Sequence, residues 1–483
     1  MSFLRAIIFP VLILQLFLFC VKGEKKKEKK VYNIDFYFKI SDNVTIDDIW
    51  CIYFRGFDFE NFLEPLTENI ILPDDLRERN MKYTWEFEQL FKDEFYAEFS
   101  GFSTSATYSL QITSGAKREN ICYQMVSIYK TGELREDYYG LSLTVPASVF
   151  ETEKSYSTKT IFSKRGEFGK MPDLKHTPRK HHIIQGLGKD YLICGGINIA
   201  PDNGVVMRNC ESFDTRELRF KKVGVMKSER YLASSALLPD GRVLITGGID
   251  AQGKIVEASE IYNPKTVSFT TYSEMLYPRY MHSTFVIGEM VLILGGIGKN
   301  GLYEKRAELF DTTKELFLDW KIIEEIPGCY SYFNDKIYMF GGKLERVKTI
   351  DPKTKNISDE GINQPINGPC KTHTAKGKVA ILSPYGKVVI FNGETYSTVD
   401  LPLKLKSAEI FISDNYIIIG GGYDLQNYTI SSTNTAIIVY PDSKTTSILN
   451  LKEARSGFSM LPLLGFTLIV GGEKYGIPEI FKP

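Results

Sequence analysis

Four arginines take the same place in a repeating pattern of this 483-residue sequence, and their side chains could do chemistry. Each one shortly precedes an apolar run that ends in two glycines; they are Arg179, Arg230, Arg279 and Arg455. A guanidinium group presents a fork of N–H donors that matches a carboxylate or a sulfate. Four of them around one opening would bind an anion. The alternative is that each arginine joins neighbouring parts of the fold through carboxylates or backbone carbonyl oxygens.

The glycine pairs could themselves form phosphate-binding loops. A dinucleotide loop needs Gly-x-Gly-x-x-Gly between a strand and a helix, and a P-loop ends in Gly-Lys-Ser/Thr. Neither pattern follows any of the pairs. We therefore predict a structural role, in which the missing side chains let neighbouring backbones approach closely. The glycines concerned are Gly195, Gly196, Gly247, Gly248, Gly295, Gly296, Gly341, Gly342, Gly421, Gly422, Gly471 and Gly472.

Histidines form a further pattern with the spacing of possible metal ligands. His182 and His282 each lie three residues beyond one of the four arginines, and His373 lies three residues beyond Cys370. Three imidazoles near one axis could hold a metal ion. The same positions also suit packing and hydrogen bonding, and alternate repeats would hold the rings far apart. We predict neither a metal nor a cofactor.

Other enzymatic signatures give no support for hydrolytic chemistry. The sequence contains no nucleophile elbow, no HExxH and no CxxC, so neither a catalytic triad nor a zinc site is indicated. Lys plus Arg equals Asp plus Glu, at 59 each, and the formal net charge is zero. This balance argues against nucleic acid as a partner, because such binding needs a basic face.

A repeat positions all of these residues. Apolar runs such as "YLICGG", "VLITGG" and "TLIVGG" recur, and each is followed by a second strand with a Glu-aliphatic-aromatic-Asp/Asn core, as in "EIYN". The spacing is roughly 50 residues, typical of a propeller blade with four short strands. One degenerate copy has Ser383-Pro384 in place of the glycines. With it the count is seven blades, and without it six.

The stretch "GRVLITGGID...EASEIYNP" resembles a kelch repeat of the galactose-oxidase-like variant. The resemblance covers residues 155–483 and implies an all-β, kelch-type β-propeller. The last repeat stops one strand short, at "EIFKP", and "TKTIFSKRGEFGKMPDLKHTPR" before the first glycine pair is similar to the missing strand. We therefore expect the N-terminal end of the array to complete the last blade, which removes exposed sheet edges.

The resemblance also implies functions. In kelch domains of ubiquitin-ligase adaptors the matching Pro-Arg position helps to hold acidic peptides, and a sialic-acid mutarotase of similar fold holds a carboxylate with arginine. By this resemblance the four arginines would surround one mouth of the central channel. A copper radical oxidase of this fold needs a Tyr-His dipeptide, which is missing from the sequence.

The N-terminal third carries targeting signals and a separate domain. Arg5 and the apolar run from Ala6 to Val21 predict a signal peptide over residues 1–23, since the run is short for a bilayer span. No other run is long enough, so we expect no membrane span in the mature chain. Residues 24–150 alternate like half-buried strands and predict a β-rich accessory domain of sandwich type.

Six cysteines remain beyond the signal peptide. We predict disulfides between Cys51 and Cys122, between Cys194 and Cys210, and, across two blades at the arginine position, between Cys329 and Cys370. N-glycosylation is predicted at Asn43, Asn356 and Asn427.

Taken with the resemblance, these features predict a secreted or lumenal binding scaffold. Its partner would be a protein or a glycan, recognised by loops on one propeller face. The alternative is a carbohydrate-active enzyme that uses the arginines and nearby acids at the channel mouth.

Overall fold

The computed structural model describes the backbone of residues 31–40, 50–58, 95–97, 105–113, 121–130, 136–139 and 156–162. It also describes backbone and side chains from residue 163 onward, with gaps at 172–173, 199–203, 216–217, 376, 425–431 and 464–465. Within these residues the chain forms strands and turns and no helix. The predicted signal peptide, Asn43 and Asn427 lie outside the described residues.

Seven strands form one mixed sheet at the N-terminal end. In the order β2-β5-β6-β7-β1-β4-β3, with β1 and β7 parallel, they are β1 (Val31–Ile40), β2 (Trp50–Asp58), β3 (Phe95–Ala97), β4 (Ser105–Thr113), β5 (Ile121–Lys130), β6 (Glu136–Tyr139) and β7 (Tyr156–Lys164). The described strands before residue 165 belong to this one sheet, so the sandwich stays a prediction. β7 lies beyond residue 155, where the sequence predicts that the propeller begins.

The register of this sheet separates two cysteines that the sequence predicts to be bonded. On the neighbouring strands β2 and β5, Cys51 is opposite Tyr129 and Cys122 is opposite Phe57. They are therefore six positions apart along the strands, about 20 Å at the usual rise per residue. The bond between Cys51 and Cys122 stays a prediction.

Seven four-stranded antiparallel sheets, the blades, make up the rest of the chain, as the repeat predicts. Blade 1 contains β9 (Ile183–Gly186), β10 (Asp190–Cys194), β13 (Asn209–Asp214) and β14 (Arg219–Val225). Blade 2 contains β15 (Ser234–Leu237), β16 (Val243–Thr246), β17 (Ala258–Asn263) and β18 (Ser268–Glu274). Blade 3 contains β20 (Ser283–Ile287), β21 (Met290–Leu294), β23 (Arg306–Asp311) and β24 (Leu316–Ile322).

Blades 4 to 6 have the same order of strands. Blade 4 contains β25 (Cys329–Phe333), β26 (Lys336–Phe340), β27 (Arg346–Ile350) and β28 (Ile357–Asn363). Blade 5 contains β29 (Lys371–Ala375), β30 (Lys378–Ser383), β31 (Lys387–Phe391) and β32 (Tyr396–Asp400). Blade 6 contains β34 (Glu409–Ile412), β35 (Ile417–Gly420), β37 (Thr435–Tyr440) and β38 (Thr445–Asn450). The degenerate copy is thus a complete blade, the fifth.

Blade 7 closes the ring. It contains β39 (Ser459–Leu463), β40 (Phe466–Val470), β41 (Glu479–Phe481) and, as its fourth strand, β8 (Phe168–Lys170). Gly169 in β8 is opposite Ile480 in β41. The expected completion of the last blade by the N-terminal end of the array is confirmed, and the strand that does it is "FGK".

Short two-stranded ribbons extend from three blades. They pair β11 (Ile197–Asn198) with β12 (Val205–Val206), β19 (Arg279–Tyr280) with β22 (Ile297–Gly298), and β33 (Leu405–Lys406) with β36 (Tyr423–Asp424). The apolar core lies between neighbouring blades; one cluster, for example, joins Leu292 and Trp320 of blade 3 to Ile337 and Met339 of blade 4. The second strand of each blade is covered on both faces, which explains why it is a continuous apolar run.

Because every blade is antiparallel, the same two kinds of connection lie on one face of the ring in each of them. The link from second to third strand and the crossing to the next blade leave the same edge, and we call this surface the loop face. Its links are residues 195–208, 247–257, 295–305, 341–345, 384–386, 421–434 and 471–478, and its crossings are 171–182, 226–233, 275–282, 323–328, 364–370, 401–408 and 451–458.

Candidate functional site

The four arginines lie at the loop-face edge of blades 1, 2, 3 and 7, and each is 0 % exposed. Arg279 shows the arrangement. Its guanidinium Nη1 donates to the carbonyl oxygen of Gly295 at 3.1 Å, and its Nη2 donates to Glu308 at 3.2 Å and to the carbonyl oxygen of Arg306 at 2.7 Å. The glutamate belongs to the Glu-aliphatic-aromatic-Asp motif of the same blade. We call this arginine–glutamate pair the clamp.

The same clamp is present in the other three blades. Its arginine and glutamate are 2.9 Å apart for Arg179 and Glu211, 2.7 Å for Arg230 and Glu260, and 2.9 Å for Arg455 and Glu479. These contacts correspond to the alternative in which the arginines join parts of the fold through carboxylates and backbone carbonyl oxygens; the sequence did not single out the motif glutamates as the carboxylates.

Each clamp glutamate also holds the crossing that leads into its blade. Glu260 accepts the backbone N–H groups of Lys227 at 2.7 Å and Ser228 at 3.0 Å. Burial lowers the pKa of Arg279 and raises that of Glu308, while the attraction between the two opposes both shifts. The clamp is therefore a buried ion pair that also bonds to the backbone around it, although the Nε of Arg230 has no hydrogen-bond partner.

The glycine pairs connect each clamp to the neighbouring blade. All twelve glycines have φ between 59° and 93°, a left-handed conformation that favours glycine. The N–H of Gly248 donates to the carbonyl oxygen of Arg279 in the next blade at 3.1 Å. A Cβ at Gly421 would lie 2.5 Å from the carbonyl oxygen of Arg455. The arginine thus contacts its own blade through its side chain and the preceding blade through its backbone.

Closure of the ring uses the same contact. The N–H of Gly472 in blade 7 donates to the carbonyl oxygen of Arg179 in blade 1 at 2.7 Å. A second chain of backbone hydrogen bonds runs around the channel mouth from blade to blade. His181 donates to Gly457, Leu232 donates to His181, and Met281 donates to Leu232, at 2.8, 3.1 and 2.9 Å.

Blades 4 and 6 replace the clamp by other pairs. Glu325 lies four residues before Cys329, as Arg279 lies four residues before Ser283, so Glu325 takes the arginine position. Lys348 takes the glutamate position and donates to Glu325 at 2.8 Å, which gives a charge-reversed clamp.

In blade 6 the corresponding residues are Leu405 and Ile437, both buried in one apolar cluster. Counting back from the glycine pairs finds both substitutions in the sequence.

The histidines do not converge. His282 donates to or accepts from Thr246 of blade 2 at 2.9 Å, and His182 does the same with Ser459 of blade 7 at 3.1 Å. His373 lies within β29, past the register position of the other two, and the backbone N–H of Ile412 is 3.3 Å from its Nδ1. The ring of His373 therefore does not take the same register position as the other two, because this residue is further along its strand.

Burial lowers the pKa of His282 to about 3 and that of His373 to about 4, since a charged imidazolium is poorly solvated there. In the described part of the chain, no group of three His, Cys, Asp or Glu side chains is arranged as metal ligands.

Two of the predicted disulfides are present. Cys194 and Cys210 are direct neighbours on β10 and β13 within blade 1, and Cys329 and Cys370 join blade 4 to blade 5. The sequence predicts that Cys329 and Cys370 take the arginine position, but the strand register shows that they do not. Cys329 is four residues past that position, at the start of its inner strand.

The arginines have protein partners and no exposed surface, so this geometry does not favour a carbohydrate-active enzyme that uses them. Anion binding by the four arginines stays a prediction. Asn356 is exposed in the turn between β27 and β28, and its glycosylation also stays a prediction. Among the described residues, no helix has the length and apolar character to cross a membrane.

The loop face carries large exposed apolar side chains. Met281 is 63 % exposed on a crossing, while Leu302, Tyr385 and Tyr475 are 65 %, 64 % and 67 % exposed on links of blades 3, 5 and 7. Val205 adds a fifth on blade 1. These residues all lie on links and crossings of the loop face. The sequence does not mark them, because isolated apolar residues in loops give no pattern.

Comparisons with known proteins find partial similarities. No family model matches the sequence. Kelch-like protein 36 of Mus musculus and that of Rattus norvegicus are each 26 % identical over 181 residues, 36 % of this chain and 28 % of the relative. The chain thus spans about 28 % of the length of these curated relatives. A solved structure, "Structure of YjhT", is 15 % identical with a TM-score of 0.40 and covers 64 % of this chain and 94 % of that chain. The repeats and the seven closed blades thus show a seven-bladed β-propeller, and over about a third of its length the chain is similar in sequence to kelch-like proteins.

Proposed function

We propose that this protein is a protein-binding scaffold and that its partner docks on the loop face. The exposed apolar side chains of that face carry the proposal. Met281, Leu302, Tyr385 and Tyr475 each present a large apolar surface to solvent, on links and crossings held by the buried framework beneath them. Large side chains on a rigid support suit an interface, because little conformational entropy is lost when the partner binds.

A protein is favoured over a glycan as the partner. Three of the exposed residues, Val205, Met281 and Leu302, are aliphatic, and they are spread over different blades. Such a broad, dispersed apolar surface matches the core of a protein interface more closely than it matches a sugar, whose hydroxyl groups need polar partners.

We further propose that the protein acts in the secretory pathway or outside the cell. The two disulfides support this location, since such bonds persist in oxidising compartments. The apolar run predicted as a signal peptide agrees with it.

Affinity capture from the secreted fraction of the source cells, followed by binding measurements with the purified partner, tests the docking surface. The loop-face variant M281E/L302E should bind at least about ten-fold more weakly, because buried interface anchors contribute more than about 1 kcal/mol each. The matched control is I448E, which changes an aliphatic residue that is 51 % exposed on the outer strand β38. Equal loss in both variants, no loss in either, or binding to glycans alone would contradict the proposal.

A further inference from the structure

The boundary between blades 4 and 5 is held differently from the others at the loop face. Where blade 1, 2, 3 or 7 follows another blade, the carbonyl oxygen of its clamp arginine accepts a hydrogen bond from the glycine pair of the preceding blade. Blade 5 has Asn367 at the arginine position and Ser383-Pro384 in place of the glycine pair. The Cys329–Cys370 disulfide spans this boundary instead.

Three backbone hydrogen bonds accompany the disulfide at the loop face, and an apolar cluster packs beneath it. At the loop face, the backbone N–H of Gly342 donates to Gly368 at 2.6 Å, the reverse bond is 3.0 Å, and Cys370 donates to Gly328 at 3.4 Å. Below them, aromatic rings such as Phe340 and Phe391 belong to one apolar cluster that joins the two blades. The interior of the boundary therefore has its own packing, while its loop-face end is held by these hydrogen bonds together with the covalent bond.

The two disulfides of the propeller differ in accessibility. Cys194 and Cys210 are 0 % and 1 % exposed, while Cys329 and Cys370 are only half-buried. Thiol–disulfide exchange begins when a thiolate approaches one sulfur, so access decides which bond reacts first. A small dithiol should reach the bond between the blades and not the one within blade 1.

We propose that Cys329–Cys370 is a reversible redox latch on the loop face. A dithiol reductant attacks one sulfur and releases the other as a thiolate. Its second thiol then attacks the reductant's own sulfur in the mixed disulfide and releases the bound cysteine. Both cysteines are then thiols, and the reductant has become a cyclic disulfide. Opening the latch loosens residues 326–328, 342 and 368–370 and leaves the seven blades folded.

The latch also connects to the proposed docking surface. A Cβ at Gly368 would lie 3.3 Å from the ring of Tyr385, so this exposed tyrosine packs on the segment that the disulfide holds. Reduction should therefore change the position of Tyr385. The latch itself does not depend on the proposed function, because its opening can be measured without a partner.

Graded reduction of the full-length protein with dithiothreitol, followed by alkylation and mass spectrometry, tests the order of reduction. We expect Cys329 and Cys370 to become alkylated at least ten-fold faster than Cys194 and Cys210. Equal rates, or faster reaction of the pair in blade 1, would overturn the proposal.

Amide hydrogen exchange tests the consequence. After selective reduction, exchange in residues 366–370 should rise at least ten-fold, while exchange near Arg179 at the blade 7–1 boundary should not change. The variant C329S/C370S should reproduce the reduced pattern, and C194S/C210S serves as the matched control. Unchanged exchange after reduction refutes the latch, and so does global unfolding of the reduced protein or of C329S/C370S, because the bond would then be a structural requirement.

Discussion

The clamp of blade 2 allows a strong prediction about stability. In Arg230→Met the carboxylate of Glu260, which is 0 % exposed, loses its cation. The carbonyl oxygens of Gly247 and Ala258 lose a donor as well. Removing one member of a buried ion pair typically costs about 3–5 kcal/mol. Two backbone N–H groups still bind the glutamate, so we expect a loss near the lower end, about 3 kcal/mol.

Equilibrium urea unfolding followed by far-UV circular dichroism measures this loss. A double-mutant cycle with Glu260→Gln adds a second test. Because the two side chains act as one unit, the double variant should lose at least about 1 kcal/mol less than the sum of the single variants.

Arg346→Met is the control for the clamp variant. The side chain of Arg346 is 55 % exposed and lies 3.9 Å from Asp359, so its loss should cost less than about 1 kcal/mol. If Arg230→Met costs no more than Arg346→Met, or if the cycle shows full additivity, the clamp is not a structural unit and our interpretation of the buried arginines fails.

Two further predictions concern the glycine pairs and the buried histidine. Gly247→Ala should cost at least about 1 kcal/mol more free energy of unfolding than Gly253→Ala. Both glycines have positive φ, but a Cβ meets the Arg279 carbonyl oxygen only at the first and nothing within 4 Å at the second. Equal costs, measured by urea unfolding, would contradict the close approach. His282 has its pKa lowered from 6.5 to about 3 by burial, so the unfolded chain binds the proton between these values. The free energy of unfolding should therefore decrease as the pH is lowered below about 6.5, by up to about 1.4 kcal/mol per pH unit. This decrease should be steeper than in His282→Ala. Parallel stability–pH curves between pH 7 and pH 4 would refute this.

The sequence was sufficient to predict most of the architecture. A propeller blade consists of neighbouring antiparallel strands, so its pattern is contained in about fifty consecutive residues and is repeated seven times. The two disulfides within and between blades, and the closure of blade 7 by its N-terminal strand, also follow from the repeat. The accessory domain has no repeat, and for this reason its strands could be recognised but their register could not.

The roles of individual side chains depended on the tertiary structure. The sequence shows four arginines at one position, but only the fold shows that they are buried against glutamates and carbonyl oxygens, because these partners meet where two blades converge. The fold likewise places the charge-reversed pair of Glu325 and Lys348 in register with the clamps. The exposed side chains of Met281 and Tyr385 come from distant blades, and no local pattern marks them. Strand pairing is encoded locally, whereas burial and partnership depend on residues that only the closed ring brings together.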